Sequence, residues 1–427
     1  MKYPKILVIA NNSFSTTEAN GRTLGNFFVD WPKERLAQFA LRAENPDTTR
    51  CTNYFIVSDT QAFHSFKTGY PATNSYQSLS STTPKVSSNS SKIKRSALTM
   101  LLRNLIWKSN RWHGAEFDKW VEAFSPDMVL LQAGDAPFMY DLAVSLAQKR
   151  HLPLVIYNSE CYYFKDFCYF TRTRSAWLYP WFRAIFKRSF KHAMQYTSGA
   201  IYITQALEEL HQTAFKHLSI TLMTASALPK KAQIKPLAKT PQIVYLGNLG
   251  LNRHKNLIAI AQEIQKINPG WKVCVYGKPA SQAEQDMRAC SAIELKGFVP
   301  YQQVVHIMQH ADLLLHTEYN DPFYMKDLQY AFSTKIADCL SAGVPFLVYA
   351  PKSFAFIQYL SANQAAFVAT TAQELPRVLR QALSNEPKRQ KQVKNALKLA
   401  RQNHDLNKNA IRFKKFLQEI YENTTRQ

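Results

Sequence analysis

ADLLLHTE (residues 311–318) and, after a loop, AFSTKIADCLSAGVPFLVYAP (residues 331–351) carry the strongest fold signal in this chain. The first is a short apolar run typical of a buried strand. In the second, the pattern predicts a helix from Ser333 to Ala342, ended by Gly343, and then another buried strand. A strand, a covering helix and a further strand indicate a doubly wound sheet.

The start of this predicted helix is a candidate anion site. Ser333, Thr334 and Lys335 supply two hydroxyl groups and an ammonium group, next to free backbone N–H groups and the positive end of the helix dipole. Asp338 follows one turn later, where we expect it to accept a hydrogen bond from a ribose hydroxyl. The segment therefore predicts the binding of a phosphorylated nucleoside.

Similar apolar runs recur in two series along the chain. The first series is KILVIA (5–10), NYFIVS (53–58), DMVLLQ (127–132), LPLVIYN (152–158) and GAIYIT (199–204), and the second is QIVYLGN (242–248), KVCVYG (272–277), AIELKGFV (292–299), ADLLLHTE, VPFLVYA (344–350) and AAFVA (365–369). Continuous apolar strands alternating with helical stretches are typical of parallel sheets covered on both faces. We expect an α/β chain with two Rossmann-like, doubly wound domains facing each other across a cleft.

The predicted domain boundaries follow composition. Residues 1–228 form the first domain, with a mobile loop at about 71–91 where Ser, Thr and Asn dominate. Residues 229–241 are rich in Pro and Lys and are expected to form a linker. Residues 242–404 form the second domain, and 405–427 a terminal helix that packs back on the first.

Composition excludes several classes of protein. The chain has 427 residues, of which 46% are hydrophobic. It contains no run of about 20 apolar residues that would span a bilayer and no apparent secretory signal peptide, so we expect a cytoplasmic protein. Its six cysteines are scattered without metal-ligand spacing and are expected to be reduced.

The formal net charge of +23 is distributed unevenly. No acidic residue lies between Asp59 and Glu116, and from Arg377 to the end thirteen Lys or Arg residues stand against four acidic ones. Such stretches attract nucleic acid or an anionic leaflet. The sequence contains no nucleic-acid-reading motif, which favours a membrane surface and no nucleic acid.

Two segments combine these cations with apolar residues. SKIKRSALTMLLRNLIWKSNRW (91–112) is predicted to be a basic amphipathic helix. WLYPWFRAIFKRSFKHAM (177–194) has the composition of an interfacial helix, but a helix packed on its own domain would look similar. Both interpretations of the second segment stay open.

In the second domain, three strands are followed by candidate ligand-binding turns. QIVYLGNLGLNRHKNL (242–257) places Gly247, Asn248, Arg253 and Lys255 between a strand and a helix, where the two cations are suited to a diphosphate. The next strand ends at Tyr276 and Gly277, another turn that a ligand can approach closely. The third runs into Gly297, Phe298 and Val299, whose backbone is suited to a nucleobase.

The chain resembles the GT-B fold glycosyltransferases, particularly those of family four, of bacterial polysaccharide and glycan assembly. The motifs that carry the resemblance are the Gly-containing loop with its cations, GFVPYQQV (297–304), ADLLLHTE and KIADCLSAGVPFLV (335–348). In the first domain the likeness is looser and rests on ANGRTLGNFF (19–28) and WPKERLAQFALRAENPD (31–47). The resemblance implies sugar transfer from a nucleoside diphosphate, most commonly UDP, with retention at the anomeric carbon.

The sequence departs from the family pattern at two points. Where the family carries two glutamates eight positions apart, this chain has Tyr330 and Asp338, so Glu318 or Asp321 is expected to supply the missing catalytic carboxylate. The Arg that usually follows the first Gly is replaced by Asn248. Its phosphate role is therefore expected to fall to the cations of the same loop.

The first domain is expected to bind the acceptor. Gly21 and Arg22, after the first strand, are placed to lie under the donor sugar and diphosphate. Asp135 and Glu160 each follow a strand, where a carboxylate serves in catalysis, in acceptor binding or as a helix cap. Asp135 is the preferred catalytic residue, with Asn12 and Glu160 as acceptor ligands.

Neither a cofactor nor a metal ion is expected. The sequence contains no Asp-x-Asp motif of the kind that holds a divalent ion with the donor. The expected partners are a nucleoside-diphosphate sugar, a glycan or lipid-linked acceptor and the anionic inner face of the cell membrane. The alternative is an inactive GT-B-like partner or acceptor-binding subunit, suggested by Tyr330.

Overall fold

The computed structural model describes residues 3–16, 19–42, 46–72, 95–170 and 175–425. The chain forms two compact units: unit 1 comprises Met1–Leu222 with Asn407–Gln427, and unit 2 comprises Met223–Leu406. The loop predicted at about 71–91 lies, from residue 73 onward, outside the described residues.

Within the described part of unit 1, seven strands form a parallel sheet in the order β3-β2-β1-β4-β5-β6-β7. The strands are β1 Ile6–Asn12, β2 Leu36–Arg42, β3 Asn53–Ile56, β4 Met128–Gln132, β5 Leu154–Asn158, β6 Thr197–Tyr202 and β7 Ser219–Thr221. The central strands β1, β4 and β5 are buried along almost their whole length, as apolar strands covered on both faces must be.

Helices alternate with these strands. They are α1 Ala19–Phe27, α2 Asp59–Thr68, α3 Ala97–Lys108, α4 Ala115–Phe124, α5 Pro137–Lys149, α6 Tyr179–Tyr196 and α7 Gln205–Gln212, with short 3-10 helices at Lys33–Arg35 and Ala176–Leu178. A Ser caps the start of α2 and of α3 by accepting a hydrogen bond from the third helical N–H.

Unit 2 repeats the architecture with six described parallel strands in the order β10-β9-β8-β11-β12-β13. The strands are β8 Ile243–Leu246, β9 Val273–Tyr276, β10 Ile293–Gly297, β11 Leu313–Thr317, β12 Phe346–Tyr349 and β13 Phe367–Ala369. The helices are α8 Arg253–Ile267, α9 Ser281–Arg288, α10 Tyr301–His310, α11 Pro322–Leu328, α12 Thr334–Ser341, α13 Ala355–Ala362, α14 Leu375–Ser384 and α15 Glu386–Asn403. The predicted pair of Rossmann-like domains is confirmed.

The last helix, α16 Leu406–Thr425, belongs almost wholly to unit 1. Phe413 packs on Phe27 and Phe28 at ring distances of 5.2 and 4.9 Å. Ile420 lies so close to Gly199 that a Cβ there would collide with it. Helix α16 therefore completes the hydrophobic core of unit 1.

The segment interpreted as a linker is part of unit 2. Its Gln233 N–H donates to the Gly343 carbonyl at 2.7 Å. Gly343 has a φ of +78°, and a Cβ at that position would collide with the Lys231 carbonyl oxygen. A glycine therefore both ends α12 and admits this segment against the helix terminus.

Each sheet has one point where the strand order reverses, between β1 and β4 in unit 1 and between β8 and β11 in unit 2. In such sheets, ligands bind outside the carboxyl ends of the strands at this point. Among the described helices, none is long and apolar enough to cross a membrane. The six cysteines form no disulfide.

Candidate functional site

Three glycine turns meet at the carboxyl ends of β8, β9 and β10. The Gly247 N–H donates to the Tyr276 carbonyl at 2.8 Å, and the Gly277 N–H donates to the Gly297 carbonyl at 2.9 Å. A Cβ on Gly277 would collide with the Gly247 carbonyl oxygen. Gly247 and Gly297 have φ values of +154° and +74°, which side chains disfavour. Glycine at these positions keeps the strand ends open to a ligand.

An ion pair spans the point where the strand order reverses. Arg253, the first residue of α8, donates from Nε to Glu318 Oε2 at 2.9 Å and from Nη2 to Oε1 at 2.8 Å. Glu318 directly follows β11 and is buried. Burial raises the pKa of Glu318, while Arg253 opposes that rise. The paired geometry is the bidentate one that an Arg makes best with a carboxylate.

Lys335 is a second cation at the same place. It lies in the first turn of α12, and its side chain crosses Gly247 so closely that a Cβ there would collide with Cε and Nζ. Burial and the nearby Arg253 charge lower the pKa of Lys335 to about 8, against a smaller opposing effect of Glu318. Two cations, Arg253 and Lys335, therefore lie with the Glu318 carboxylate at these strand ends.

His316 and Asn256 also belong to this cluster, and sequence reasoning missed both. His316 lies on β11 with its Nε2 atom 3.7 Å from Glu318 Oε1. Burial, with Lys335 and Arg253, holds its pKa well below the usual range, so the ring is neutral. Asn256 Nδ2 donates to Thr317 Oγ1 at 2.8 Å and to the Glu318 carbonyl at 3.0 Å. The hydrogen bonds of Asn256 hold the end of β11.

Helix α12 begins one residue after the predicted start, with Ser333 as its N-cap residue. Among the described atoms, the Ser333 side chain makes no capping hydrogen bond, and Ser333 and Thr334 are half-buried. Asp338 is buried and accepts a hydrogen bond from Ser226 Oγ at 2.6 Å. Asp338 is the residue predicted to bind a ribose hydroxyl, and one of its carboxylate oxygens therefore already accepts a hydrogen bond from within unit 2.

Asp321, the second candidate for the missing carboxylate, has a structural role in this site. It is the N-cap of α11, and its Oδ1 atom accepts hydrogen bonds from the N–H groups of Phe323 and Tyr324 at 3.0 and 3.3 Å. Capping of this kind is a common use of Asp and stabilises a helix start. The carboxylate that the structure brings to Arg253 and Lys335 is Glu318.

The other donor-binding candidates lie around these strand ends. Lys255 is exposed, with Nζ 5.2 Å from the Tyr319 ring. The Asn248 carbonyl accepts from Tyr245 Oη at 2.8 Å, and its Oδ1 atom accepts from the Gly250 N–H at 2.6 Å. Phe298 is 80% exposed after β10. The remaining candidates, Tyr276 and Val299, are half-buried, and so is Tyr330, which stands where the family carries a glutamate.

In unit 1, Asp135 follows β4 and forms an ion pair with Arg95. It is buried, whereas Arg95 is exposed. The Arg95 guanidinium lies 5.6 Å from the Phe170 ring and 6.0 Å from the Tyr169 ring. Asp135 thus stands at the carboxyl end of β4, where the strand order of unit 1 reverses.

The other predicted residues of unit 1 are less clearly grouped. Gly21 and Arg22 lie in the first turn of α1, and a Cβ on Gly21 would collide with the Ser13 carbonyl oxygen. Asn12 ends β1, where its carbonyl accepts from Gln38 Nε2 at 3.2 Å. Glu160 is exposed after β5.

Comparison with known proteins gives the class. Residues 229–399 match the family model described as glycosyl transferases group 1. No curated protein matches the chain. Residues 229–399 make up most of unit 2, which is therefore similar to the group 1 glycosyl transferases. The chain as a whole has the GT-B fold that the sequence predicts, as the solved structures below show.

Solved structures resemble the whole chain. HepE of Anabaena in complex with UDP is 12% identical, with 97% of this chain and 100% of that chain covered, at a TM-score of 0.63. WaaG, a glycosyltransferase involved in lipopolysaccharide biosynthesis, is 14% identical over 96% and 98% of the two chains, at 0.58. Sucrose-phosphate synthase from Thermosynechococcus elongatus is 11% identical over 98% and 99%, at 0.62. At such identities the likeness shows the fold.

Proposed function

We propose that the chain is a glycosyltransferase that moves a hexosyl or N-acetylhexosaminyl group from a nucleoside-diphosphate sugar to a glycan, lipid-linked or protein acceptor. The observation that carries the proposal is the convergence of Arg253 and Lys335 at the Gly247 turn. Two cations at the reversal of strand order suit a diphosphate, which gains charge as the sugar leaves. UDP is the proposed nucleotide, since HepE is bound to UDP in its structure.

The proposed reaction breaks the bond between the anomeric carbon and the diphosphate oxygen and joins that carbon to an acceptor oxygen, whose proton is released. Arg253 and Lys335 hold the departing diphosphate, and their positive charges stabilise it. Glu318 orients Arg253 and lies beside the proposed sugar position. Unit 1 binds the acceptor through the edge that carries Asp135, and the anomeric configuration is retained.

We further propose that transfer needs no divalent ion. Among the described residues, no group of three or more His, Cys, Asp or Glu side chains is placed to hold one. Lys335 and Arg253 take over the charge neutralisation that a metal supplies in other transferases. The protein is proposed to act in the cytoplasm at the inner face of the cell membrane, where its cationic stretches meet anionic lipid.

Calorimetric titration with a panel of nucleoside diphosphates tests nucleotide binding. Release of sugar from the matching donor, measured with and without excess EDTA, tests cleavage of the donor. We expect one diphosphate to bind and sugar release to persist in EDTA. Loss of release with chelator, restored by manganese, would contradict metal independence.

The second candidate function is an inactive acceptor-binding partner, favoured by Tyr330 at a position where the family carries a carboxylate. Absence of any nucleotide binding in the same titration would support that candidate against the transferase. Binding accompanied by sugar release would exclude it.

A further inference from the structure

Helix α3 has an exposed apolar stripe. Leu98, Leu102 and Leu105 are exposed at spacings of four and three residues, with the half-buried Leu101 beside them. These spacings place them on one face. On the opposite face of α3, the side chains of Met100, Asn104 and Trp107 are buried. Because this face packs against unit 1, the leucine stripe faces solvent.

Helix α6 and the turn before it present a matching surface. Trp177 is 75% exposed and Trp181 is 70% exposed, with Ile185 one turn further along α6. The other face of α6 packs into unit 1 through Phe182, Phe186 and Phe190. The sequence left open whether this helix is interfacial or packed. The structure shows that it is packed on one face and carries exposed tryptophans on the other.

The two surfaces are continuous. The Leu98 N–H donates to Ser175 Oγ at 3.2 Å, which joins the start of α3 to the turn that carries Trp177. Further along, α3 and α6 line a groove of about 1050 Å³ that contains Leu101, Leu102, Leu105 and Ile185. We call this the α3/α6 surface.

Cations border the groove. Lys108, Arg188 and Lys191 line it and are exposed. One acid, Asp141, also lines it, and its Oδ2 atom is 2.9 Å from Lys108 Nζ. The groove therefore keeps a positive charge next to its apolar floor. Exposed leucines and tryptophans bordered by Lys and Arg are the composition of a surface that sits at the boundary between lipid headgroups and acyl chains.

We propose that the α3/α6 surface docks unit 1 onto an anionic phospholipid leaflet, with the leucines and tryptophans entering the interface and the cations binding headgroup phosphates. The inference rests on the proposed function only in that a lipid-linked acceptor is presented at such a leaflet. It goes beyond attraction of the cationic stretches, because an inserted apolar stripe gives binding that persists in part at high salt.

Co-sedimentation of the full chain with vesicles, without donor or acceptor, tests the proposal independently of transfer. Vesicles of phosphatidylcholine with one third phosphatidylglycerol serve as the probe. We expect the parent protein to bind them and the double variant Leu102→Ser/Leu105→Ser to bind at least ten-fold more weakly. Ile411→Ser is the matched control, since Ile411 on α16 is 51% exposed, as Leu102 is. It is expected to bind as the parent does.

A charge-reversal pair tests the border of the groove. Arg188→Glu/Lys191→Glu is expected to lose most binding to anionic vesicles, while Lys119→Glu/Lys216→Glu, which changes two exposed cations elsewhere on unit 1 by the same charge, keeps most of it. Equal losses in both pairs would show nonspecific attraction and overturn the proposal. Circular dichroism of each variant separates lost binding from lost folding.

Fluorescence gives a readout that depends on insertion. Lipids with brominated acyl chains are expected to quench the tryptophan fluorescence of the parent protein. The quenching is expected to fall in Trp177→Phe/Trp181→Phe, because these two indoles are the exposed tryptophan side chains of the α3/α6 surface. A surface used instead for self-association would give a concentration-dependent dimer that Leu102→Ser/Leu105→Ser abolishes, with no vesicle binding by the parent. That outcome would refute the membrane proposal.

Discussion

The Arg253 guanidinium group is bound edge-on by the Glu318 carboxylate, through Nε to Oε2 at 2.9 Å and Nη2 to Oε1 at 2.8 Å. The pair joins the start of α8 to the end of β11 across the reversal of strand order. Since Arg253 is fixed before any ligand arrives, little side-chain entropy is lost when a diphosphate binds. The carboxylate also keeps the two cations of the site from facing each other unopposed.

Replacing Glu318 tests this double role. We expect Glu318→Gln to lower sugar transfer at least ten-fold, and Glu318→Ala to weaken diphosphate binding as well, because Gln retains one acceptor for Arg253 and Ala retains none. Asp321→Asn is the comparison: Asn also caps helices, so transfer should stay within about two-fold of the parent. If Asp321→Asn loses sugar transfer while Glu318→Gln transfers sugar as the parent does, the sugar-binding carboxylate is Asp321 and not Glu318.

Removing either cation of the site should weaken binding of the donor nucleotide. We expect Lys335→Ala and Arg253→Ala each to reduce affinity for the nucleoside diphosphate by roughly ten- to a hundred-fold, since a hydrogen bond to a charged group contributes about 1.5–3 kcal/mol. Calorimetric titration measures the loss. Lys255→Ala, which removes an exposed cation of the same loop, should cost less. Parental affinity in both of the first two variants would refute the phosphate site.

Binding should depend on pH through Lys335. Its pKa of about 8 means that the free protein loses this charge as pH rises above that value. A bound diphosphate stabilises the ammonium form and raises its pKa, so affinity is expected to fall between pH 8 and pH 9.5, while Lys335 contributes no pH dependence below pH 7. Titration in buffers of different ionisation enthalpy should detect proton uptake at pH 8.5. Lys335→Arg, charged throughout, is expected to abolish that uptake.

The Gly247 turn should tolerate no side chain. In Gly247→Ala, a Cβ would collide with Cε and Nζ of Lys335, and the φ of +154° would be strained. We expect at least ten-fold weaker diphosphate binding because the ammonium group is displaced. Gly270→Ala is the control in another turn of unit 2, where the added Cβ would meet Asn268 Oδ1 at 3.3 Å. Similar affinities in the two variants would contradict the proposed position of Lys335.

Much of the fold could be predicted because buried parallel strands are apolar along their whole length. Two strands, β2 and β7, were not predicted from the sequence, and each has a physical reason. Strand β2 reads LAQFALR and interrupts its apolar run with Gln38, which is buried and accepts a hydrogen bond from the Phe14 N–H at 2.8 Å. Strand β7 has only three residues, all half-buried. Neither has a periodicity that distinguishes it from a loop.

The candidate site was predicted less completely, since its pairings join residues far apart in sequence. Arg253 and Glu318 were both candidates, but nothing in the sequence shows that they bind each other. His316 carried no spacing signal at all, because a lone histidine in an apolar strand is more often a core residue than a functional one. The role of Asp321 could not be predicted either, because an Asp that follows a strand can serve equally well as a sugar ligand or as a helix cap.

A buried histidine of unit 1 gives a test of acid stability. His211 on α7 is fully buried among the rings of Phe164, Phe190 and Tyr202, and neither ring nitrogen has a hydrogen-bond partner among the described residues. Burial lowers its pKa to about 3. As pH falls below 6.5, the unfolded chain therefore binds a proton that the folded protein does not, and stability falls.

His211→Phe should remove that dependence. Between pH 6.5 and pH 5 the parent is expected to lose about 1.6 kcal/mol through this group, since the slope rises toward about 1.4 kcal/mol per pH unit as the unfolded chain becomes fully protonated. Phe keeps the aromatic packing and leaves no nitrogen unpaired, so the variant should be at least as stable at pH 7 and lose less stability at pH 5. His404, whose pKa is lowered to about 4, is hydrogen-bonded to Tyr359 and to the Thr224 carbonyl and leaves some acid sensitivity in unit 2. Urea unfolding followed at both pH values measures the difference, and an unchanged pH dependence in His211→Phe would show that this imidazole is protonated in the folded protein.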